Sequence, residues 1–475
     1  MTFNIEPGRI SGLPAAEQKM LADLLRIFRQ HEGKNALKAR YYEGDITLGE
    51  VNLGLALPKG LTGFEIGCEW GGKAVDVLAG RSMFDGFVGA DGQAVPELQR
   101  LVTANALVAE YKKHCRDELT FGCTFATLSK DDRIGCRIRF HTPRTSAARW
   151  NGERGRIDCG FAIIDVEKAE NESERKPRIV NLYTDTDIWV MTRSGETWSA
   201  QQFPHIMGRP LMVPLIWGAT SDKPFGQSRI NDPVRRLIQS YVRTVANATI
   251  GLEFCTAPQK YLLGVTDDQY DAVVNDKFRQ YVGSIITATT NPDTGEKPTF
   301  GQLPQGSIQP HVEMLRMLAT QFAAATGLSV SDTGVVNDAN PTSYEALRAQ
   351  TDTLVGLAED LNTANGDALR LIGLMALAIE KGVTLDELSE DEYNVVAHFR
   401  SPGRPNVAAS ADAATKIATV RPAFADTDVF LEMMGFDQAD VRRIKAQELR
   451  VRGLQVLGEL TDEDVNAEEA AETEA

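Results

Sequence analysis

The part of the chain that most limits its possible folds is residues 300–382, where two helical patterns flank a polar loop. Pro310 favours a helix start, because proline lacks the amide hydrogen that a first turn leaves unused. Apolar residues then recur at three- and four-residue steps until Gly327 ends the pattern. They are Val312, Leu315, Leu318, Phe322 and Ala325. This spacing predicts a helix over residues 310–327.

The loop predicted at 328–341 is rich in residues that hydrogen-bond their own backbone or accept left-handed conformations. These residues are Ser329, Ser331, Asp332, Thr333, Gly334, Asn337, Asp338 and Asn340. Behind the loop, Thr342 and Glu345 have the spacing of a capping box, in which the hydroxyl and the carboxylate each accept a free amide of the first turn. A second helix is therefore expected to begin there.

This second helix is unusually long. Its apolar positions continue without proline until Lys381 and Gly382, and at 1.5 Å per residue it would extend roughly 60 Å. The apolar positions are Ala346, Leu347, Leu354, Leu357, Leu361, Ala364, Ala368, Leu371, Ile372, Met375 and Ile379. Such a length suggests a large assembly, and the alternative is a helix that braces two domains.

The size and charge of the chain limit its possible folds and partners less than the helical patterns do. A chain of 475 residues, 43% of them hydrophobic, predicts roughly two to four domains. The net charge is −16, and residues 459–474 hold eight acidic residues and no Lys or Arg. We expect these residues to form a disordered, solubilising tail. The rest of the chain is mildly acidic and shows no cationic face that would bind a phosphate backbone tightly.

The cysteine pattern and the absence of targeting segments favour a soluble protein made in the cytoplasm. The six cysteines lack the C-x-x-C spacing of a redox or zinc site, so we expect them to be reduced and mostly buried. Residues 1–9 lack the basic and apolar regions of a signal peptide. The apolar run at 371–379 is too short to span a bilayer, so no membrane association is predicted.

The remaining patterns predict a mixture of helices and strands. Helices are expected at 15–31, 70–80, 96–119 and after Asp232, which would cap a helix with Pro233 at its first position. Strands are expected at 124–128, 134–140, 160–166, 179–183, 187–192, 212–217, 261–263, 284–289 and 299–302. The fold class is therefore α+β, with a β-rich region between residues 124 and 217.

Two patterns could belong to an enzyme. Residues 67–73 fit the G-x-x-x-x-G-K half of a phosphate-binding loop, but Ala74 stands where Ser or Thr would bind magnesium. Asp185 and Asp187 have a D-x-D spacing that would suit a metal, although a turn between strands explains them as well. The histidines are scattered singly. We predict no catalytic residue, metal or cofactor. A packaging ATPase at 67–73 and a nuclease at Asp185 and Asp187 remain the alternatives.

Seven short motifs follow one another in an order that resembles a known family. They are YYEGD (41–45), VDVLAGR (75–81) followed by Gly86 and Phe87, LTFGCTF (119–125), VPL (213–215) with FGQSRI (225–230), APQKY (257–261), FAAATGL (322–328) and NPTSYEAL (340–347). In this order the chain resembles the portal proteins of tailed double-stranded DNA phages, especially phages of actinobacteria. The resemblance covers roughly residues 15–400.

The resemblance implies a portal fold with wing, stem, clip and crown. By position it implies a wing at 1–226, a first stem helix at 227–252, a clip at 253–307, a second stem helix at 308–327 and a tunnel loop at 328–341. It further implies a long helix and wing return at 342–405, a crown at 406–458 and an acidic tail at 459–475.

The implied function is a non-enzymatic ring, usually of twelve subunits, at one capsid vertex of the virion, through which DNA is packaged and ejected. The implied partners are double-stranded DNA, the terminase large subunit, head-completion or adaptor proteins, and the major capsid and scaffolding proteins. The ring would be assembled in the bacterial cytoplasm. A monomeric capsid-associated adaptor is the remaining alternative.

The resemblance also assigns candidate site residues. Tunnel-loop contacts with DNA would come from Ser329, Ser331, Asp332, Thr333, Asn337, Asp338 and Asn340. The clip residues facing terminase or adaptor would be Asp267, Asp268, Tyr270, Asn291 and Asp293. A conduit must not bind its DNA tightly, which agrees with the overall acidity. The candidate cationic groups of the stem are Arg235, Arg236, Arg243 and Arg316, whose alternative role is in intersubunit salt bridges or solvated surface.

Overall fold

The computed structural model describes residues 5–47, 66–89, 95–167, 176–256, 260–264, 295, 297, 299–302, 307–335, 344–403, 407–436 and 440–454. The chain divides into two compact units. The first unit comprises Met1–Gly33, Leu78–Ser228 and Leu354–Ala475, and the second comprises Lys34–Val77 and Arg229–Thr353. Each unit is therefore assembled from segments that are distant in sequence.

The described residues form a mixture of helices and strands, which confirms the predicted α+β class. The helices are α1 (Ala15–Glu43), α2 (Trp70–Ala79), α3 (Pro96–Ala104), α4 (Leu107–Phe121), α5 (Asp232–Thr256), α6 (Gln309–Thr326), α7 (Tyr344–Lys381), α8 (Glu390–Tyr393), α9 (Val407–Val420), α10 (Asp428–Met433) and α11 (440–454). Within the described ranges, none of the helices is long and apolar enough to cross a membrane.

The strands lie mostly in the first unit. They are β1 (Ile10–Ser11), β2 (Met83–Val88), β3 (Cys123–Asp131), β4 (Gly135–His141), β5 (Ser146–Asn151), β6 (Arg156–Val166), β7 (Pro177–Tyr183), β8 (Asp187–Ser194), β9 (Thr197–Pro204), β10 (Met212–Ile216), β11 (Lys260–Leu263), β12 (Thr299–Gln302) and β13 (Val396–Arg400). They form a six-stranded sheet in the order β1-β9-β8-β7-β6-β5, a three-stranded sheet β10-β3-β4, and the pairs β13-β2 and β11-β12.

Residues 15–33 of α1 cover the six-stranded sheet. Leu21, Leu24 and Phe28 recur at helical spacing and are at most 4% exposed, so they form one apolar stripe. Phe28 meets Phe161 of β6 edge to face, with ring centroids 5.7 Å apart. The stripe and the buried strand residues of this sheet make one continuous core.

A buried polar network crosses the helical part of the first unit. The Asn365 side-chain amide donates to Glu118 Oε2 at 2.7 Å and to the Tyr111 hydroxyl at 3.0 Å. Tyr111 lies 2.6 Å from Ser82 Oγ, which in turn donates to Asn362. Glu118 is wholly buried, and desolvation raises its pKa to about 8. Its carboxyl is therefore neutral at pH 7, and the network joins α4 and α7 through neutral hydrogen bonds.

An ion-pair cluster holds α10 beside the β13-β2 pair. His398 Nδ1 lies 2.6 Å from Asp85 Oδ1, and His398 Nε2 lies 3.6 Å from Glu432 Oε1. Arg400 also reaches Asp85. The hydrogen bond to Asp85 raises the pKa of His398 above its usual value. His398 therefore connects a strand predicted for the wing with a helix predicted for the crown.

Several predicted helix bounds were wrong. The first helix continues past residue 31 through Gly33 and ends at Gly44, whose φ is +77°. The helix predicted at 96–119 is broken by Asn105 and Ala106 into α3 and α4. The Asn105 side chain exchanges hydrogen bonds with the backbone of Cys136 and Ile138, so a tertiary contact fixes the break.

The helix predicted after Asp232 is confirmed, but its cap was assigned one residue too late. Asn231 Oδ1 accepts the amide of Val234 at 3.1 Å, whereas Asp232 pairs with Arg235 within the first turn. The long helix is confirmed as α7, and it ends at Lys381 before Gly382 as predicted. Its predicted capping residues, Thr342 and Glu345, lie outside the described side chains.

The cysteines at 68, 115, 123, 136 and 159 are buried, as predicted. Strands at β11 and β12 are confirmed, and the strand predicted at 284–289 lies outside the described residues. The patterns missed β1, β2, β5, β9 and β13. The acidic tail at 459–475 also lies outside the described residues.

Candidate functional site

The centre of the second unit is a pair of packed helices, α5 and α6, which correspond to the predicted stem. Val234, Ile238 and Val242 of α5 recur every four residues and are at most 1% exposed. Phe322 and Ala319 on α6 are wholly buried. Residues 232–240 of α5 and residues 314–321 of α6 line one groove. The helix end predicted at Gly327 is confirmed, because Gly327 has φ +68° and stops α6.

Trp70, the first residue of α2, is at the centre of this unit and is 3% exposed. Its ring stacks on Phe322 with centroids 4.6 Å apart and lies 4.3 Å from the ring of Tyr241. The indole Nε1–H donates to the Thr333 carbonyl at 3.1 Å. A buried indole needs such an acceptor, so Trp70 both fills the core and binds the backbone beyond α6.

Arg229 is a buried cation next to the same helix end. Its Nε donates to the Ala74 carbonyl at 2.6 Å, and its Nη2 donates to the Thr326 carbonyl at the last turn of α6. A cation is favourable there, because the carbonyl end of a helix carries partial negative charge. Burial lowers the pKa of Arg229 to about 10, so the guanidinium remains charged at neutral pH. Sequence reasoning missed both Arg229 and Trp70.

The first residues of the predicted tunnel loop form a capped turn. Residues 330–333 are a single 3₁₀ turn, and Ser329 and Asp332 cap it reciprocally through their side chains and amides. Thr333 is 7% exposed, and its hydroxyl donates to Val330. Ser331 is exposed to solvent. Thr333 is thus buried, with its carbonyl and its hydroxyl hydrogen-bonded within the unit, and the predicted DNA contacts of Ser329, Ser331, Asp332 and Thr333 stay predictions.

The other predicted contact residues of the loop and the clip are not all described. Asn337, Asp338 and Asn340 lie outside the described residues, and so do Asp267, Asp268, Tyr270, Asn291 and Asp293. Their roles remain predictions.

The structure separates the four candidate stem arginines by environment. Arg235 is half-buried, pairs with Asp232 and lies over the ring of Tyr41 at 6.0 Å. Arg236 and Arg316 are exposed, and Arg243 is half-buried. Arg235 is thus already neutralised within its own chain, while Arg236 and Arg316 lie on the surface of the helix pair.

Residues 67–73, the candidate phosphate-binding loop, comprise the first turn of α2 and the three residues before it. Residues 66–68 are irregular and lead into α2, and Gly71 lies within that helix. A Cβ on Gly71 would lie 1.9 Å from the Tyr41 carbonyl, so this glycine allows α1 and α2 to cross closely. Lys73 lines an open groove together with Glu43, Glu69 and Asp76. These three carboxylates would repel a triphosphate.

The D-x-D pair also has structural partners. Asp185 accepts a hydrogen bond from Arg154 at 2.6 Å, and Asp187 accepts one from Gln202 at 2.7 Å. Both lie at the turn between β7 and β8, which is the alternative that the sequence left open. In the part of the chain that the structure describes, no group of three or more His, Cys, Asp or Glu residues is arranged to hold a metal ion.

Two curated proteins are similar to the chain over most of its length. The portal protein of Mycobacterium phage L5 is 26% identical over 404 residues, which cover 82% of this chain and 80% of the relative. The portal protein of Mycobacterium phage D29 is 25% identical over 404 residues, which cover 82% of this chain and 81% of the relative. The predicted resemblance to phage portal proteins is confirmed.

No protein-family model matches the chain. Among solved structures, a chain in the neck of an empty gene transfer agent particle, computed with C6 symmetry, has a TM-score of 0.44 and 13% identity. That match covers 74% of this chain and 85% of the other. A chain in the virion of a native gene transfer agent particle has a TM-score of 0.44 and 13% identity, covering 78% of this chain and 90% of the other.

Proposed function

We propose that the chain is the subunit of a phage portal, a ring at one capsid vertex through which double-stranded DNA is packaged and ejected. The observation that carries this proposal is the similarity to two phage portal proteins over 404 residues, which cover 82% of this chain. In this role the protein is a component of the virion and acts as a conduit instead of an enzyme.

Ring formation is supported by exposed apolar residues on α6. Met317 is 47% exposed and Met314 is 38% exposed, although the opposite face of the same helix is fully buried. Val312 is 37% exposed on the same helix. Apolar side chains grouped on one element of a monomer usually mark an interface. We expect a second copy of this chain to cover them, since a ring repeats one contact around its axis.

The ring prediction is tested by mass photometry of the purified full-length chain. Twelve chains of 52.0 kDa would give a particle of about 624 kDa. An averaged image along the particle axis would then give the number of subunits. A single species at 52.0 kDa under all salt conditions would exclude the ring and favour the monomeric adaptor.

The interface is tested by Met317→Asp, which places a charge at the most exposed of these three apolar residues. We expect loss of the large particle with an unchanged circular dichroism spectrum. The matched control is Val108→Asp, because Val108 is 41% exposed in the first unit. An intact ring in Met317→Asp would mean that α6 does not form the subunit contact.

The role of the loop in DNA movement is tested by deleting residues 336–340 and retaining the capped turn before them. Rings should still assemble, because the deletion leaves Thr333 in contact with Trp70. Particles that carry the deletion should package or retain less DNA. Normal DNA content in particles with the deletion would assign channel contacts to other residues.

The enzymatic alternatives have their own tests. ATP hydrolysis by the purified ring that is abolished by Lys73→Ala would support a nucleotide site at 67–73. Magnesium-dependent DNA cleavage that is abolished by Asp185→Asn would support a nuclease. We expect neither activity, because the surroundings of both sites are those of packed or ion-paired residues.

The partners follow from the proposed role. A portal ring presents its clip to the terminase large subunit during packaging and to head-completion or adaptor proteins afterwards, and it is surrounded by capsid and scaffolding proteins. The segment 253–307 is the proposed clip. Pull-down of the assembled ring with candidate terminase subunits, with Asp267 and Asp268 changed to lysine as a test of the surface, checks this assignment.

A further inference from the structure

The start of the predicted tunnel loop is bound to the body of the second unit at two points. Trp70 donates to the Thr333 carbonyl at 3.1 Å, and Arg229 donates to the Thr326 carbonyl. These two acceptors lie on either side of the capped turn, one at the end of α6 and one at the last residue of the turn. The turn is therefore held at both of its ends.

Both donors belong to segments far from the loop in sequence. Trp70 begins α2, and Arg229 precedes α5 and also donates to Ala74 within α2. The two donors thus connect α2 with the end of α6. Because Trp70 also stacks on Phe322 and lies against Tyr241, its indole cannot move without disturbing the helix pair.

The turn between these points has a fixed internal geometry. Ser329 and Asp332 cap each other, Leu328 is 6% exposed, and Gly334 leaves the turn with φ +76°. That backbone conformation strongly favours glycine. The chain that follows Gly334 therefore begins from a defined position and direction.

We propose that Trp70 and Arg229 are positioning residues for the tunnel loop, which fix the capped turn 328–334 to α2 and to the end of α6. This inference rests on the proposed portal function. On this proposal the turn 328–334 stays in place while DNA moves.

Hydrogen exchange of the full-length assembled chain tests the two contacts directly. Trp70→Phe keeps an aromatic ring and removes the donor to Thr333, while Arg229→Met keeps an unbranched apolar side chain and removes both donors. Each loss should speed exchange of the amides at 329–334 by about tenfold. Arg229→Lys should give an intermediate rate, because an ammonium reaches one carbonyl in place of two.

The matched control is Trp189→Phe, because Trp189 is 6% exposed in the first unit and its Nε1 is buried without a hydrogen-bond partner among the described residues. This variant should leave exchange at 329–334 unchanged. Wild-type exchange at 329–334 in both Trp70→Phe and Arg229→Lys would overturn the proposal. These two variants also test it if Arg229→Met does not fold.

A second readout separates positioning from general stability. The DNA content of particles carrying Trp70→Phe should fall severalfold while the mass of the ring stays that of the wild type. Full DNA content together with faster exchange would overturn the positioning role. Absence of a ring in the wild-type chain would instead contradict the proposed function, so the two failures are distinguishable.

Discussion

The two units of the molecule each bury an ionisable side chain, and burial has a different consequence in each. Glu118 in the first unit has a pKa raised to about 8, whereas Arg229 in the second unit has a pKa lowered to about 10. Both shifts disfavour the charged form. Because the ordinary pKa of a carboxyl lies below neutral pH and that of a guanidinium lies far above it, Glu118 is neutral at pH 7 and Arg229 is charged.

The partners of the two groups differ accordingly. Glu118 accepts from the Asn365 side chain, which a neutral carboxyl or an amide can do equally well. Arg229 donates to two backbone carbonyls, which requires a planar cation with several donors. Glu118 can thus be replaced by its neutral isostere glutamine, whereas no neutral side chain has the shape and the donors of Arg229.

The largest difference between the units should appear in two substitutions that each remove one of these ionisable groups. Arg229→Met removes two charge-assisted hydrogen bonds and should cost about 3–5 kcal/mol of the free energy of unfolding. Glu118→Gln should change it by less than about 1 kcal/mol at pH 4, where the glutamate is largely protonated in both the folded and the unfolded chain and the amide keeps an acceptor for Asn365. At pH 7 the variant should be more stable than the wild type by roughly 3 kcal/mol, because folding no longer has to protonate an ionised carboxylate. Urea unfolding followed by hydrogen exchange in peptides of each unit measures both values. Equal losses would show that Glu118 is not held neutral.

The pH dependence of the first unit sharpens the same comparison. The folded pKa of Glu118 is raised from 4.5 to about 8, so its contribution to stability is fully present below pH 4.5 and is lost as the pH rises through about 8. Within that window the free energy of unfolding should fall by at most about 1.4 kcal/mol per pH unit from this group. Glu118→Gln should flatten the profile of the first unit and leave that of the second unit unchanged. An unchanged slope in the variant would assign it to another group.

A third prediction concerns close helix packing in the second unit. Gly71→Ala would place a Cβ 1.9 Å from the Tyr41 carbonyl, and the backbone there must shift. We expect a loss of about 2–3 kcal/mol in the free energy of unfolding, measured by chemical denaturation. Tolerance of alanine would mean that α1 and α2 separate easily, and it would reopen a role for residues 67–73 other than packing.

The smallest effect should come from a glycine in the first unit. Gly33 lies inside α1, and a Cβ there would meet nothing within 4 Å. Gly33→Ala should therefore raise the free energy of unfolding by roughly 0.5–1 kcal/mol. A destabilised Gly33→Ala variant would indicate that another chain approaches this surface.

Local patterns were sufficient for two of the long helices, α6 and α7. The apolar spacing and the flanking Pro310 and Gly327 gave α6 almost to the residue, and Lys381 and Gly382 marked the end of α7. Such signals are local, because they depend on backbone conformation and on one buried face. The break between α3 and α4 was invisible to the same reasoning, since it depends on hydrogen bonds from Asn105 to a distant strand.

The missed strands have a similar explanation. β2 contains Asp85 and Gly86, which are poor strand formers, and it is stabilised by pairing with β13 more than three hundred residues away. Strands β5 and β9 are rich in Ala, Ser and Gln, so their alternation is weak. Their place in the sheet comes from hydrogen bonding with neighbours, which a single sequence does not display.

By itself the sequence determined the α+β class, the succession of stem helix, loop and long helix, and the resemblance to phage portal proteins. These depend on local periodicity and on the order of short motifs. Only the tertiary structure decided that Trp70 and Arg229 hold the beginning of the loop, and that Thr333 is buried. Both residues act on backbone carbonyls, and any residue supplies a carbonyl, so no sequence pattern identifies which one a distant donor will bind.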